Sequence, residues 1–185
     1  MSYLDEFVSL LSGRFDNRVQ LDRLAEQGVA GFPYAVHVGT VVNDRIIGLP
    51  DGFPGLFLLE ESNYTVHDRT NSMPHLFLFT AENGAVKLTS YEFPAGFDKA
   101  NCTAAAFRNV PFAALRPSEK FTPAYFEKEN EVWSGGSESE FAPGLRFSLQ
   151  ERFCATQLEV SESMERDGKR IFGYDLPLVY RRIPT

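Results

Sequence analysis

Leu76-Phe77-Leu78-Phe79-Thr80-Ala81-Glu82-Asn83-Gly84-Ala85-Val86-Lys87-Leu88-Thr89-Ser90-Tyr91 decides the fold. Two β-rich runs flank Asn83-Gly84, the pair best suited to a type I′ turn, which needs φ > 0 at both central residues. The stretch predicts an antiparallel hairpin. Asp167-Gly168 predicts a second one, between residues 158–164 and 171–174. Upstream, Tyr34, Val36 and Val38 alternate with Ala35, His37 and Gly39 at the period of a strand. Residues 56–59 and 76–79 are apolar on both faces, as in strands of a sheet curled on itself with its outside covered. Asp51-Gly52 and Gly135-Gly136 predict further turns, and the block 134–140 reads as a loop.

Helical signal is confined mostly to residues 1–28. Leu4, Phe7, Val8 and Leu11 form one stripe, with Ser2 placed to cap it and Gly13 to stop it. Asn17 and Gln20 have the spacing of a capping box for a second helix ending near Gly28. Residues 125–129 suggest one short helical turn. Consecutive hairpins without crossover helices mean antiparallel pairing. The fold predicted for residues 1–185 is a single all-β domain with short N-terminal helices, an up-and-down barrel of lipocalin type. A sandwich is the other arrangement.

Composition narrows the function. The chain of 185 residues carries 17 Phe, 7 Tyr and one Trp, enough apolar material for a core. Its 25 acidic against 18 basic residues give a charge of −7, which disfavours a nucleic-acid partner or a polybasic membrane patch. No run approaches the ~20 apolar residues that span a bilayer. The acidic start Ser2-Tyr3-Leu4-Asp5-Glu6 is unlike a signal peptide, so a cytoplasmic location is expected. Cys102 and Cys154 then read as free thiols. Three His without paired Cys offer no metal-ligand spacing, and no phosphate loop or serine-hydrolase elbow is present.

Several segments, in order, resemble the CpcT/CpeT family of phycobiliprotein chromophore lyases. They are Leu10-Leu11-Ser12-Gly13-Arg14-Phe15-Asp16-Asn17-Arg18-Val19-Gln20, then Leu56-Phe57-Leu58-Leu59-Glu60-Glu61, then Pro74-His75 with the hairpin to Tyr91. Last come residues 159–173 and Val179-Tyr180-Arg181-Arg182-Ile183. The chain departs from the family at His75-Leu76, where arginines are usual, and at Glu61, where Gln is usual. The resemblance implies a calycin-like barrel and a lyase joining a linear tetrapyrrole, a phycocyanobilin-type bilin, to a cysteine of a phycobiliprotein β subunit. The bilin is then substrate, with no tightly bound cofactor. Family precedent and exposed edge strands point to a homodimer.

Such chemistry needs a donor near the ring system and groups for the propionates. Glu60, after four apolar strand residues, is the expected acid if it points into the barrel, where desolvation favours its protonated form. Asn17, Gln20, Tyr91, Trp133 and His75 are candidate ligand contacts. For the first two, helix capping is the competing explanation. Arg152, between Leu149 and Phe153, leads the propionate candidates ahead of Arg14, Arg69, Arg108 and Arg146, because a guanidinium pairs a carboxylate bidentately. Residues 93–106 are expected to loop over a barrel end. Two other functions remain open: a non-catalytic barrel for another hydrophobic or tetrapyrrole ligand, and an interaction module.

Overall fold

The computed structural model describes residues 2–98 and 102–184. Helix α1 (Tyr3–Leu11), strand β1 (Gly13–Asp16) and helix α2 (Arg18–Glu26) open the chain. Strands β2 (Tyr34–Val41), β3 (Ile46–Ile47), β4 (Gly55–Val66), β5 (Arg69–Glu82) and β6 (Ala85–Glu92) follow. Next come β7 (Val110–Pro111), β8 (Arg116–Pro117), β9 (Ala124–Glu129), β10 (Val132–Ala142) and β11 (Leu145–Phe153). Finally β12 (Gln157–Arg166), β13 (Lys169–Gly173) and β14 (Leu178–Ile183) complete the chain.

Ten strands close antiparallel in the order β1, β2, β4, β5, β6, β9, β10, β11, β12, β14, and β14 returns to β1. Each neighbour is the next barrel strand in sequence, so this is an up-and-down barrel and not a sandwich. Asn83-Gly84 and Asp167-Gly168 both take positive φ at both residues, as the type I′ hairpins require. Some expected features are absent. Gly135-Gly136 makes no turn, and the block 134–140 is the middle of β10. A Cβ on Gly135 would lie 2.0 Å from the Tyr125 carbonyl, so glycine serves close strand approach there. Residues 125–129 are strand β9, not a helical turn.

The double-faced apolar strands serve two cores. Inside the barrel, α1 plugs one end. Ser2 and Asp5 form a reciprocal capping box at its start. Its Phe7 ring lies 4.8–5.2 Å from the rings of Phe79, Phe126, Trp133 and Phe153, which come from four different strands. At its other end the Arg182 guanidinium donates to the carbonyls of Leu10 (2.8 Å) and Ser12 (2.5 Å), groups a helix C-terminus leaves without partners. Outside the wall, Phe57, Leu59, Leu76 and Leu78 meet Cys102, Phe107, Val110 and Leu115 in the second core. The described part of the segment 93–106 thus covers the flank of β4 and β5, not a barrel end.

The capping box expected at Asn17 does not form. Its Nδ2 donates to the Pro33 carbonyl (2.9 Å), and its Oδ1 accepts from the Ala35 N–H (2.8 Å), pinning the return of the chain into β2.

Candidate functional site

Strand pairing decides which side chains enter the lumen. Phe15 pairs with His37, His37 with Ser62, and Glu60 with His75. Side chains on these positions and their i ± 2 neighbours share the inner face. Around the barrel the same rule turns Tyr64, Phe77, Ser137, Phe147, Glu151, Glu162 and Tyr180 inward. Near α1 the interior is a solid aromatic layer. Beyond it, Glu60, Tyr64, Phe77, Ser137, Phe147, Glu151 and Glu162 are only partly buried although the wall surrounds them, so they line space that water reaches.

Three carboxylates from three strands share that space: Glu60 on β4, Glu151 on β11 and Glu162 on β12. Burial and the charge of Glu60 push Glu162 up to about 7, against the opposing hydrogen bond from Tyr64. Burial, then the charges of Glu60 and Glu162, holds Glu151 well above the usual carboxylic range. Burial raises Tyr64 and Tyr180 too, so both phenols remain donors. Glu60, 13 % exposed, accepts a hydrogen bond from Ser62 Oγ (2.9 Å), and its second oxygen lies 3.6 Å from His37 Nε2. Ser62 Oγ also contacts His37 Nδ1 at 3.2 Å. The arrangement can donate protons, accept N–H groups and hold a flat ring against aromatic faces.

Among the described residues, four cations occupy lumen-facing register positions, and none is level with the carboxylates. Lys128 at the plugged end is bound to Glu6 (2.6 Å), and Arg182 caps α1. Arg69 and Arg166 are exposed at the tips of the β4–β5 and β12–β13 hairpins, at the open end. No cluster of His, Cys, Asp and Glu among the described residues has the geometry to hold a metal ion.

Of the residues singled out in the sequence, Glu60 and His75 stand in the lumen; the His75 ring stacks on Phe77 at 5.5 Å between centroids. The others do not. Asn17 is fully buried with its amide spent on backbone. Gln20 likewise donates to the Pro177 carbonyl (2.7 Å) and accepts from the Val179 N–H (2.9 Å), holding α2 to β14. Tyr91 faces outward and packs edge-on against Phe57, 5.1 Å away, in the outer core. Trp133 is fully buried in β10 beneath α1, its Nε1 without a hydrogen-bond partner. Arg152 points away from the lumen, its side chain 60 % exposed and 3.7 Å from Glu159. Arg14, Arg108 and Arg146 are exposed as well.

Glu151, Glu162, Tyr64 and Tyr180 were not expected. Their signal is parity: Glu151 is two residues from both Leu149 and Phe153, and Glu162 follows Leu158 and Val160 in steps of two, so each shares the face of buried residues. No protein-family model, no curated protein and no solved structure matches this chain. No described helix is long and apolar enough to cross a membrane.

Proposed function

We infer that this protein binds a flat, conjugated, nitrogen-bearing small molecule in its lumen, and that it acts as a chromophore lyase on a linear tetrapyrrole. The inference rests on Glu60 facing Glu151 and Glu162 inside the barrel. Carboxylates in a desolvated space favour N–H donors and delocalised positive charge, which the pyrrole nitrogens of a protonated bilin supply. Phe77, Phe147 and Tyr64 offer ring faces, and Arg69 and Arg166 stand at the mouth where propionates would emerge.

In the transfer step the acceptor cysteine of a phycobiliprotein β subunit enters as thiolate, having passed its proton to a lumen carboxylate. The S–C bond forms at the exocyclic carbon as its double-bond electrons move into the ring system. Glu60 delivers the proton that this electron pair takes up. The lumen carboxylates together lose one proton and gain one, and nothing is oxidised or reduced. The chain's contribution is orientation and proton placement in a space that limits water. The bilin is substrate, and a cytoplasmic location and a homodimer accompany this proposal.

A second reading is a non-catalytic carrier of another hydrophobic or tetrapyrrole ligand. It is favoured by His75-Leu76 standing where the lyases carry arginines, and by the distance of Arg152 from the lumen. Coexpression with a bilin-producing pathway and a phycobiliprotein β subunit, read by in-gel bilin fluorescence, separates the two. Covalent colour on the acceptor, lost in Glu60→Gln, is expected. Coloured purified protein with an unlabelled acceptor establishes the carrier, and colourless protein with an unlabelled acceptor refutes both.

A further inference from the structure

His37 and Ser62 are polar side chains buried in a barrel wall, 4 % and 3 % exposed, and both touch Glu60. A buried polar group must satisfy its donors and acceptors, so the hydrogens among these three can be counted. The Ser62 hydroxyl has one hydrogen, and its shortest contact, 2.9 Å, is to Glu60 Oε1, which therefore accepts it. The 3.2 Å contact from Ser62 Oγ to His37 Nδ1 must then be an Nδ1–H donating to the hydroxyl oxygen. That leaves His37 Nε2 facing Glu60 Oε2 at 3.6 Å. With Nε2 bare and Glu60 ionised, two lone pairs would confront each other beside a buried negative charge. One additional proton removes both costs.

We propose that His37, Ser62 and Glu60 form a closed circuit, in which Nδ1–H of His37 is fixed on Ser62 and one further proton on Nε2 makes His37 the ion-pair partner of Glu60 Oε2, 3.6 Å away. His37 and Ser62 are positioning residues: they aim the Glu60 carboxyl and hold beside it the proton it can give to the lumen. When a basic ligand atom takes that proton, the pair passes from net zero to net −1 charge. Glu60 remains tethered by the Ser62 hydroxyl, and the proton is replaced from lumen water. Around the pair lie Tyr180, whose ring centroid is 5.6 Å from that of His37, and His75, opposite Glu60 on β5. Tyr64, Glu151 and Glu162 complete the surroundings through their charge coupling to Glu60.

The circuit deepens the role given to Glu60 above, but its test needs no ligand. Long-range ¹H–¹⁵N spectra of the full-length protein report the protonation of each ring nitrogen, and only three His must be assigned. In the wild type, His37 is expected to show both Nδ1 and Nε2 protonated. In Glu60→Gln, Nε2 should move to the bare-nitrogen position, because the new amide donates to it, while Nδ1 stays protonated. In Ser62→Ala, Nδ1 loses its acceptor and the tautomer should swap to Nε2–H. A bare Nδ1 in the wild type overturns the proposal, as does an Nε2 resonance unmoved by Glu60→Gln or a tautomer unmoved by Ser62→Ala. The wild-type spectrum decides even if a variant fails to fold. Chromophore transfer is scored separately, so loss of the lyase reading leaves this result standing.

Discussion

Replacing Glu162 by Gln should make the protein less sensitive to alkaline pH. Glu162 stands beside Glu151 of the neighbouring strand and faces Glu60 across the lumen, with the Tyr64 hydroxyl as its donor. Its ionisation moves from the ordinary 4.5 to about 7 in the folded state. The folded chain therefore holds this proton more tightly than the unfolded chain does. Stability from this group is intact below pH 4.5, falls between 4.5 and about 7, and stays low above that. The shift corresponds to about 3 kcal/mol, an upper bound because lumen water solvates the ionised form. Gln keeps the shape, cannot ionise, and withdraws one negative neighbour from Glu151. Urea unfolding at pH 5 and pH 8.5 measures the effect. The wild type should lose roughly 1–3 kcal/mol between the two, and Glu162→Gln clearly less, with the variant the more stable protein at pH 8.5. A wild type equally stable at both pH values, or a variant weaker than wild type at both, would refute the placement of Glu162 among the lumen carboxylates.

Arg182→Ala strips the C-terminal carbonyls of α1 of their charged donor and should cost about 1.5–3 kcal/mol by denaturant unfolding; Arg182→Lys should recover part of it. Asn17→Ala leaves the Ala35 N–H and the Pro33 carbonyl without partners in a buried site, and a loss of about 2 kcal/mol is expected. Ligand affinity should not change, since the side chain is remote from the lumen. For the thiols, burial pushes Cys102 up to about 11, whereas hydrogen bonds at Thr156 lower Cys154. Alkylation of the native protein at pH 8 should modify Cys154 alone, and mass spectrometry of the digest reads the outcome.

Barrel architecture was legible because its determinants are local. Asn83-Gly84 and Asp167-Gly168 adopt the turn their chemistry demands, and the apolar face of α1 follows directly from its spacing. Residues 56–59 and 76–79 announced a covered sheet, and the second core is that cover. Glu60 was legible too, because it continues the alternation of Leu56 and Leu58. Arg152 was misplaced where parity had the answer: it lies one residue from Phe153, which faces in, so it faces out. Gly135-Gly136 looked like a turn because glycine serves two purposes, and only the neighbouring strand shows which applies. Asn17 and Gln20 have partners 16 and 157 residues away, which no local spacing encodes. The meeting of Glu60, Glu151 and Glu162 depends on closure of the barrel, and His37 on the register between β2 and β4.

The most direct test is a visible-absorption titration of the purified protein with a free linear tetrapyrrole, wild type beside a Glu151→Gln/Glu162→Gln double variant. A carboxylate-lined lumen predicts saturable binding with a red-shifted band in the wild type, and affinity at least tenfold weaker in the double variant. Equal binding and equal spectra in the two proteins, or no binding to the wild type, would contradict it.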